Sequence, residues 1–259
     1  MENLKASVVI ANYNNAKHIN QCLGSLKNQT YKNFEIIFFD DNSDDESLKL
    51  LQKFSNIKII ANKKQSKFGS LNQINAFEQS IKQSNGEIIF FLDSDDFFHE
   101  KKIYSIVNYF QNNKETKIVF DYPTIIYEDK LIKESKKDKI FKSYWPYIHP
   151  TSCISIRKEI FEDLLKSISY KSFNDVWLDF RICIYSQYIL KEFNTINENL
   201  TFYRKTNTNI SSKFNKFSKN WWKRRKEAHE YLFTFAKDNN FKINKNFDFL
   251  LTNFVCYFI

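Results

Sequence analysis

The first hundred residues alternate between short apolar runs and amphipathic segments. Four apolar runs predict buried β-strands, over 6–11, 34–39, 57–61 and 87–92. The segments between them place apolar residues at helical spacing and predict helices over about 16–28, 43–54 and 71–83. Strands that alternate with helices are typical of a Rossmann-like, mostly parallel sheet with helices on both faces. The pattern therefore predicts a protein of the α/β class.

The second half of the chain follows a looser but still mixed pattern. It predicts helices over 101–111, 158–167, 174–190 and 221–238, and strands over 117–122, 152–156 and 201–204. No internal repeat and no run rich in Gly or Pro divides the chain. We expect one large domain over residues 1–212 and a basic, aromatic, helical C-terminal segment over 213–259.

Two clusters of acidic residues stand where the second and fourth predicted strands end. They comprise Asp40, Asp41, Asp93, Asp95 and Asp96. In open α/β sheets, ligands bind beyond the carboxyl ends of the strands. Neighbouring carboxylates repel one another unless a cation or hydroxyl groups hold them. Capping of helix N-termini by Asp is the structural alternative, but the pattern favours a ligand site at this edge of the sheet.

The composition narrows the chemistry of that site. Only 3 of the 259 residues are Gly, which excludes the Gly-rich loops of dinucleotide-binding folds and of P-loop proteins. A bound diphosphate would therefore need another source of positive charge. The four Cys residues are scattered and match neither a zinc site nor a disulfide framework. No signal peptide and no apolar run of about 18 residues is evident, so we expect a cytoplasmic protein.

The positive charge is concentrated in the C-terminal part. Residues 204–246 contain 12 Lys or Arg and 3 Asp or Glu, so this stretch alone carries the formal net charge of +9. Aromatic residues interrupt the cations, as they do in segments that lie on membranes. We expect this stretch either to pack on the domain as a helix or to contact the anionic inner face of the cytoplasmic membrane.

Several blocks, in order, resemble the motifs of glycosyltransferase family 2, which has the GT-A fold. They are SVVIANYN (7–14), QTYKNFEIIFFDDNS (29–43), GEIIFFLDSDD (86–96), Asn174-Asp175 with Arg181, and Tyr203-Arg204 with Ser211. The resemblance covers about residues 6–212 and implies an inverting, metal-dependent transfer of a sugar from a nucleoside diphosphate. A His that the family often carries after Tyr-Arg is replaced here by Thr206, so no third protein ligand for the metal is expected.

The resemblance implies the residues that bind the donor. Ala11, Tyr13 and Asp41 would line the pocket for the nucleotide base, and Asp93 would contact the ribose or the sugar. Asp95 would hold Mg²⁺ or Mn²⁺ on the diphosphate. A hard cation on oxygen ligands stabilises the charge of such a leaving group. We expect a UDP-sugar as the donor.

The resemblance makes Asp175 the catalytic base toward the acceptor hydroxyl. At the start of the predicted helix its charge would be favoured by the helix dipole, and the structural alternative is a capping residue. Asp179, one turn later, is predicted as an ion-pair partner and takes the role of base only if Asp175 is a cap. Trp177 and His149 could each line an acceptor site or simply pack in the core.

The family implies a glycan or glycolipid acceptor, in the synthesis of a bacterial surface polysaccharide or lipooligosaccharide. A different class of function is a non-enzymatic module that binds nucleic acid or a membrane through its basic region. That alternative leaves the acids at the strand ends unexplained, and carboxylates in a cleft repel phosphate backbones. We therefore expect no nucleic-acid partner.

Overall fold

The first half of the chain is built from strand–helix units. The computed structural model describes residues 4–128, 130–135, 144–167, 172–205 and 214–259. Its first elements are β1 (Ala6–Asn12), α1 (Ala16–Lys27), β2 (Phe34–Asp40), α2 (Ser47–Leu51), β3 (Ile57–Ala61), α3 (Gly69–Lys82) and β4 (Ile88–Asp93). The four strands lie within one residue of the predicted bounds, because each is a mostly apolar run. β1 and β4 are almost entirely buried, whereas no residue of β3 is buried.

The second half adds short strands and the remaining helices. They are β5 (Phe97–Phe98), α4 (Lys102–Asn112), β6 (Ile118–Tyr127), β7 (Lys130–Lys133), β8 (Ile154–Arg157), α5 (Phe161–Ser167), α6 (Leu178–Tyr185), β9 (Asn194–Lys205), α7 (Lys219–Asp238) and α8 (Phe247–Tyr257). A 3₁₀ turn, Thr151–Cys153, precedes β8.

All the strands join one sheet in the order β3-β2-β1-β4-β8-β6-β9-β5, with β7 paired to β6. The pairs of β1, β2, β3 and β4 are parallel, whereas β8 runs antiparallel to both β4 and β6. The predicted α/β class is confirmed, with a mixed rather than a parallel second half. The parallel half brings the carboxyl ends of β1, β2 and β4 to one edge.

Helices cover both faces of the central strands. Val9 and Phe91 face a layer that includes α3, α6 and α7, while Ile10 and Phe90 face α1 and α4. Successive side chains of a strand point to opposite faces, so a strand covered on both sides must be apolar at every position. This requirement explains the uninterrupted apolar runs and fixes the sheet edge that carries the acids.

The helix predicted over 43–54 is reduced to α2. Ser43 does not cap it, because its Oγ donates to Asp40 Oδ1 at 2.7 Å and its main-chain N–H donates to Asp40 Oδ2 at 3.0 Å. Ser43 and Glu46 have the spacing of a capping box, and the sequence therefore predicts one at the start of this helix; the structure shows that this prediction is wrong. The hydroxyl instead holds the acid that ends β2.

The helix predicted from residue 174 begins later, at Leu178. Phe173 has a φ of 65°, in the left-handed region. The buried Arg181 side chain donates its Nε to the Val176 carbonyl at 2.9 Å and its Nη2 to the carbonyls of Ser172 and Phe173 at 2.8 and 3.0 Å. Because Arg181 satisfies these carbonyls, the chain forms a turn here instead of a first helical turn.

The C-terminal helices confirm the predicted helical segment. Tyr231, Leu232 and Phe235 of α7 are buried in the same hydrophobic cluster as β1 and α3. The expected boundary at residue 212 falls outside the described residues. None of the helices in the described ranges is long and apolar enough to cross a lipid bilayer.

Candidate active site

A cavity of about 600 Å³ opens at the carboxyl ends of β1, β2 and β4. Its wall includes four carboxylates, from Asp41, Asp93, Asp95 and Asp179. Basic side chains of α1 and α7 line it as well. The parallel strands therefore bring the two acidic clusters of the sequence into one site, as the strand pattern predicts.

The loop after β1 is shaped by polar contacts with the loop after β2. Asn14 has a φ of 51°, and its Oδ1 accepts a hydrogen bond from the Asp44 main-chain N–H at 2.9 Å. The Asn14 N–H donates to Ser43 Oγ at 3.0 Å. This geometry places Ala11 and Tyr13 in the cavity wall. Tyr13 is 50% exposed, which leaves its ring accessible to a planar ligand.

Asp41 lies deep on the same side of the cavity, at 5% exposure. Asn62 Nδ2 donates to its Oδ1 at 2.6 Å, and Gln65 Nε2 donates to its Oδ2 at 3.1 Å. Burial raises the pKa of Asp41, although the bonds from Asn62 and Gln65 oppose that rise. The two amides orient the carboxylate, which retains acceptor capacity for a ligand N–H.

Asp93 ends β4 at the cavity floor. Gln73 Nε2 donates to both of its carboxylate oxygens, at 3.0 and 3.3 Å. The Asp93 main-chain N–H donates to Ser152 Oγ at 3.0 Å. Burial, followed by the charge of Asp95, raises the pKa of Asp93 to about 7. This environment favours a ligand that brings a positive charge or donates a hydrogen bond.

The next two acids have different surroundings. Asp96 is buried and accepts hydrogen bonds from Ser152 Oγ at 2.6 Å and from the Arg204 main-chain N–H at 2.8 Å. Asp95 faces the cavity, and Arg204 Nε donates to its carbonyl at 3.0 Å. Burial raises the pKa of Asp95, while Arg204 and Lys17 lower it. Asp96 therefore anchors the loop, and Asp95 is the acid that the loop presents.

These acids fit a hard divalent cation. Within the described part of the chain, no three His, Cys, Asp or Glu side chains converge to hold a metal ion by themselves. Mg²⁺ characteristically binds through one or two carboxylates, substrate phosphates and water. Asp95, with Asp93 beside it, matches that donor set. A divalent cation held there would supply the positive charge that a Gly-rich loop does not provide in this sequence. Thr206 lies outside the described residues.

The two candidate bases lie in different places. Asp175 is exposed and is not among the residues that line the cavity. Asp179, in the first turn of α6, lines the cavity. The prediction of Asp179 as an ion-pair partner did not anticipate that it lines the cavity. The role of Asp175 as base stays a prediction, which turnover measurements on both residues decide.

Arg224 of α7 was not predicted as a site residue. It lines the cavity beside Trp177, and its guanidinium lies 4.7 Å from the centre of the Phe214 ring. Its charge lowers the pKa of Asp179, against the larger effect of burial, which raises that pKa. The sequence conceals this role, since Arg224 stands within a run of four cations.

Of the two residues considered for an acceptor site, His149 and Trp177, only Trp177 lines the cavity. His149 is fully buried, its Nδ1 lies 2.8 Å from the Asp121 carbonyl oxygen, and its ring stacks on Phe120. Packing is therefore its role in the described structure, and it does not line the cavity. Trp177 does line the cavity, as expected for an aromatic face available to a sugar ring.

Solved structures share the fold over nearly the whole chain. The crystal structure of Staphylococcus aureus TarS 1–349 in complex with UDP-GlcNAc has a TM-score of 0.65 at 16% identity and covers 97% of this chain and 73% of that one. The mannosyltransferase PcManGT from Pyrobaculum calidifontis, in complex with GDP-Man and Mn²⁺, has a TM-score of 0.60 at 13% identity. The match covers 98% of this chain and 69% of PcManGT. The likeness confirms the predicted GT-A fold.

Curated proteins match over shorter stretches. The chain is 28% identical to an uncharacterized glycosyltransferase of Nostoc sp. over 219 residues, which are 78% of this chain and 65% of that protein. It is 34% identical to the S. aureus poly(ribitol-phosphate) β-N-acetylglucosaminyltransferase TarP over 46% of this chain and 36% of that protein. The chain is also 34% identical to the Escherichia coli UDP-Glc:α-D-GlcNAc-diphosphoundecaprenol β-1,3-glucosyltransferase WfaP. That match covers 45% of this chain and 44% of WfaP. This chain thus spans about a third to two thirds of the length of these relatives.

The family model described as "Glycosyl transferase family 2" matches residues 7–168. That range contains both acidic clusters and the loop after β1, so the matched blocks build the part of the cavity that lies at the strand ends. The family predicted from the motifs is therefore confirmed, and this chain belongs to glycosyl transferase family 2.

Proposed function

We propose that this chain is an inverting glycosyltransferase that moves a sugar from a UDP-sugar to a hydroxyl group of a glycan or glycolipid. One observation carries the proposal: a single cavity collects Asp41, Asp93 and Asp95 from the strand ends and Asp179 from α6. A pocket for a base, acids suited to a cation and a carboxylate for proton removal are the parts that sugar transfer needs.

The nucleotide end of the donor fits the side of the cavity near β1 and β2. The Asp41 carboxylate, oriented by Asn62 and Gln65, can accept a hydrogen bond from the imide N–H of uracil. The half-exposed Tyr13 ring can cover the face of the base. The UDP-GlcNAc complex of TarS supports the choice of uracil over other bases.

The diphosphate belongs near Asp95 and Asp93, which would hold a divalent cation. When bound, such a cation supplies positive charge to the leaving nucleoside diphosphate. The Mn²⁺ complex of PcManGT supports a metal-dependent reaction. The chain's own contribution is to hold Asp95 in place through the Asp96 contacts with Ser152 and Arg204.

Transfer then needs one carboxylate within hydrogen-bond reach of the acceptor hydroxyl. The acceptor oxygen bonds to the anomeric carbon as the bond from that carbon to the phosphate oxygen breaks. The electron pair leaves with the diphosphate, and the acceptor proton passes to the carboxylate. A single displacement of this kind inverts the anomeric carbon.

Donor binding is the first test. UDP, UDP-glucose and UDP-GlcNAc with Mn²⁺ are expected to raise the unfolding temperature, because a ligand that binds only the folded state stabilises it by mass action. GDP and GDP-mannose serve as matched controls, and free UDP is measured as the product. If the chain is stabilised by no nucleotide sugar but binds single-stranded nucleic acid, the enzymatic proposal fails.

The names of two relatives support the acceptor class. TarP acts on poly(ribitol phosphate) and WfaP on a diphosphoundecaprenol-linked sugar, as their names state. We place the acceptor of this chain in the same broad class, in the synthesis of a bacterial surface polysaccharide or lipooligosaccharide. This reaction would run in the cytoplasm, at the inner face of the membrane.

Only some of the basic residues of the C-terminal segment would contact a membrane. Arg224 faces the cavity, and Arg225 binds Asp248 of α8 with N–O distances of 2.6 to 3.0 Å. Within the described part of residues 214–226, the exposed cations are Lys216, Lys219 and Lys223. A change of all four residues from 223 to 226 would therefore disturb the cavity and the α7–α8 contact as well as the surface.

The three exposed lysines give a cleaner test. Changing Lys216, Lys219 and Lys223 to Gln is expected to weaken binding to phosphatidylglycerol vesicles, since each cation near an anionic surface is worth about 1 kcal/mol. Co-sedimentation at low and high salt measures it. A control variant with Gln at Lys27, Lys53 and Lys82, all exposed, should bind like the parent. If the parent protein does not co-sediment with these vesicles at low salt, the proposal of membrane contact is wrong.

A further inference from the structure

We propose that Asp179, rather than Asp175, removes the proton from the acceptor hydroxyl, and that Arg224 of α7 is the positioning residue for Asp179. This assignment rests on the proposed function, since it names the base of that same reaction.

Position separates the two acids. A base must come within hydrogen-bond reach of the acceptor, next to the donor. Asp179 lines the cavity together with Asp93 and Asp95, and its charge contributes to the raised pKa of Asp93. Asp175 is exposed and lies outside the lining.

The local structure explains why Asp175 does not line the cavity. Its main-chain N–H donates to Glu227 Oε2 at 2.9 Å, and its carbonyl accepts from Arg224 Nε at 3.2 Å. Both groups belong to α7, so the turn is tied to that helix through its backbone. Together with the contacts of Arg181, these bonds hold Asp175 in a turn before α6 begins.

Asp179 has the surroundings of a base. It is the second residue of α6, where the helix dipole favours a carboxylate. Its Oδ1 accepts a hydrogen bond from the Phe180 main-chain N–H at 2.6 Å. Burial nevertheless raises the pKa of Asp179 above its ordinary value, which makes the carboxylate a stronger proton acceptor than an exposed Asp.

Arg224 links α7 to this residue. Its side chain is held by the Asp175 carbonyl and by the Phe214 ring, and it reaches the cavity on the side of Trp177 and Asp179. A fixed cation there keeps the carboxylate ionised before the proton arrives. After transfer, the proton resides on Asp179 and is lost to solvent when product leaves.

A matched pair of isosteric changes tests the assignment. The donor is the UDP-sugar that raises the unfolding temperature of the parent protein. Asp179→Asn and Asp175→Asn are compared for the rate of UDP release from this donor, with water as the acceptor, and for their affinity for it. Asp179→Asn is expected to lower kcat by about 10²–10⁴-fold with donor affinity retained, the usual scale for loss of general-base catalysis. Asp175→Asn should retain parental turnover.

Arg224 is tested by a split between kcat and KM. Arg224→Gln should lower kcat with little change in the KM for donor, and Arg224→Lys should restore part of the lost rate because it returns the charge. A merely structural role would instead lower the unfolding temperature and affect both parameters.

Several results would overturn the assignment. These are near-parental turnover in Asp179→Asn, equal or greater loss in Asp175→Asn, and loss of donor affinity in Asp179→Asn, which would make Asp179 a donor-binding group. Parent protein that binds no nucleotide sugar would refute the proposed function itself, so the two failures are distinguishable.

Discussion

Replacing Asp95 by Ala is expected to reduce sugar transfer by about 10³-fold or more. Charge stabilisation by a bound cation is worth several kcal/mol, and each 1.36 kcal/mol is a factor of ten in rate. Asp95 is the acid that the loop after β4 presents to the cavity, whereas Asp96 is engaged with Ser152 and Arg204. The loss should therefore arise from the reaction and not from the loop.

EDTA should reproduce the loss in the parent enzyme, and added Mn²⁺ should reverse it. The matched control is Asp44→Ala, which removes an exposed acid from the neighbouring loop and should leave turnover unchanged. Thermal unfolding supplies a second readout: without metal, Asp95→Ala should be at least as stable as the parent, because it removes repulsion from Asp93 and Asp96. Full activity in EDTA would reject metal dependence.

Replacing Lys102 by Ala is expected to lower the free energy of unfolding by about 3–5 kcal/mol, the scale for leaving one charge of a buried pair without its partner. Lys102 and Asp121 form an ion pair with both side chains fully buried. Lys102 Nζ also donates to the Ser152 carbonyl at 3.0 Å and to Thr201 Oγ1 at 2.8 Å. The pair therefore holds the turn that carries Ser152 beneath the acids of β4.

Urea unfolding measures this effect, with Lys101→Ala as the control, because Lys101 is adjacent and exposed. Its change should stay within about 0.5 kcal/mol. A double change of Lys102 to Met and Asp121 to Leu should cost less than Lys102→Ala alone, since no charge then remains buried without a partner. Equal losses in Lys101→Ala and Lys102→Ala would contradict this account.

The part of the cavity at the ends of β1, β2 and β4 could be predicted from sequence because it depends on the order of strands and helices along the chain. Asp41 and Asp93 each follow a buried strand, and parallel pairing with β1 sets their alignment. Once the strands are identified, the topology of an α/β sheet brings their ends together. The position of Asp95 in the cavity follows from the same pattern, whereas that of Ala11 was implied by the family resemblance.

The part of the cavity formed by α6 and α7 could not be predicted in this way, because contacts between residues distant in sequence determine it. The start of α6 depends on Arg181 and on the ties between Asp175 and α7, and helical spacing alone cannot reveal either. For the same reason Asp179 was predicted as an ion-pair partner and not as part of the cavity wall, and His149 was considered for an acceptor site although it packs in the core. Hydrogen bonds between side chains and backbone carbonyls determine where α6 begins and where His149 lies.

The two consecutive arginines of α7 constrain the design of chimeras between this protein and its relatives. Arg224 reaches the cavity, and Arg225 fastens α8 through Asp248. Residues beyond the last family motif therefore help to form the cavity. On the proposed assignment of Asp179, a chimera intended to exchange acceptor preference would have to transplant α6 and α7 together, so that Asp179 and Arg224 come from the same parent.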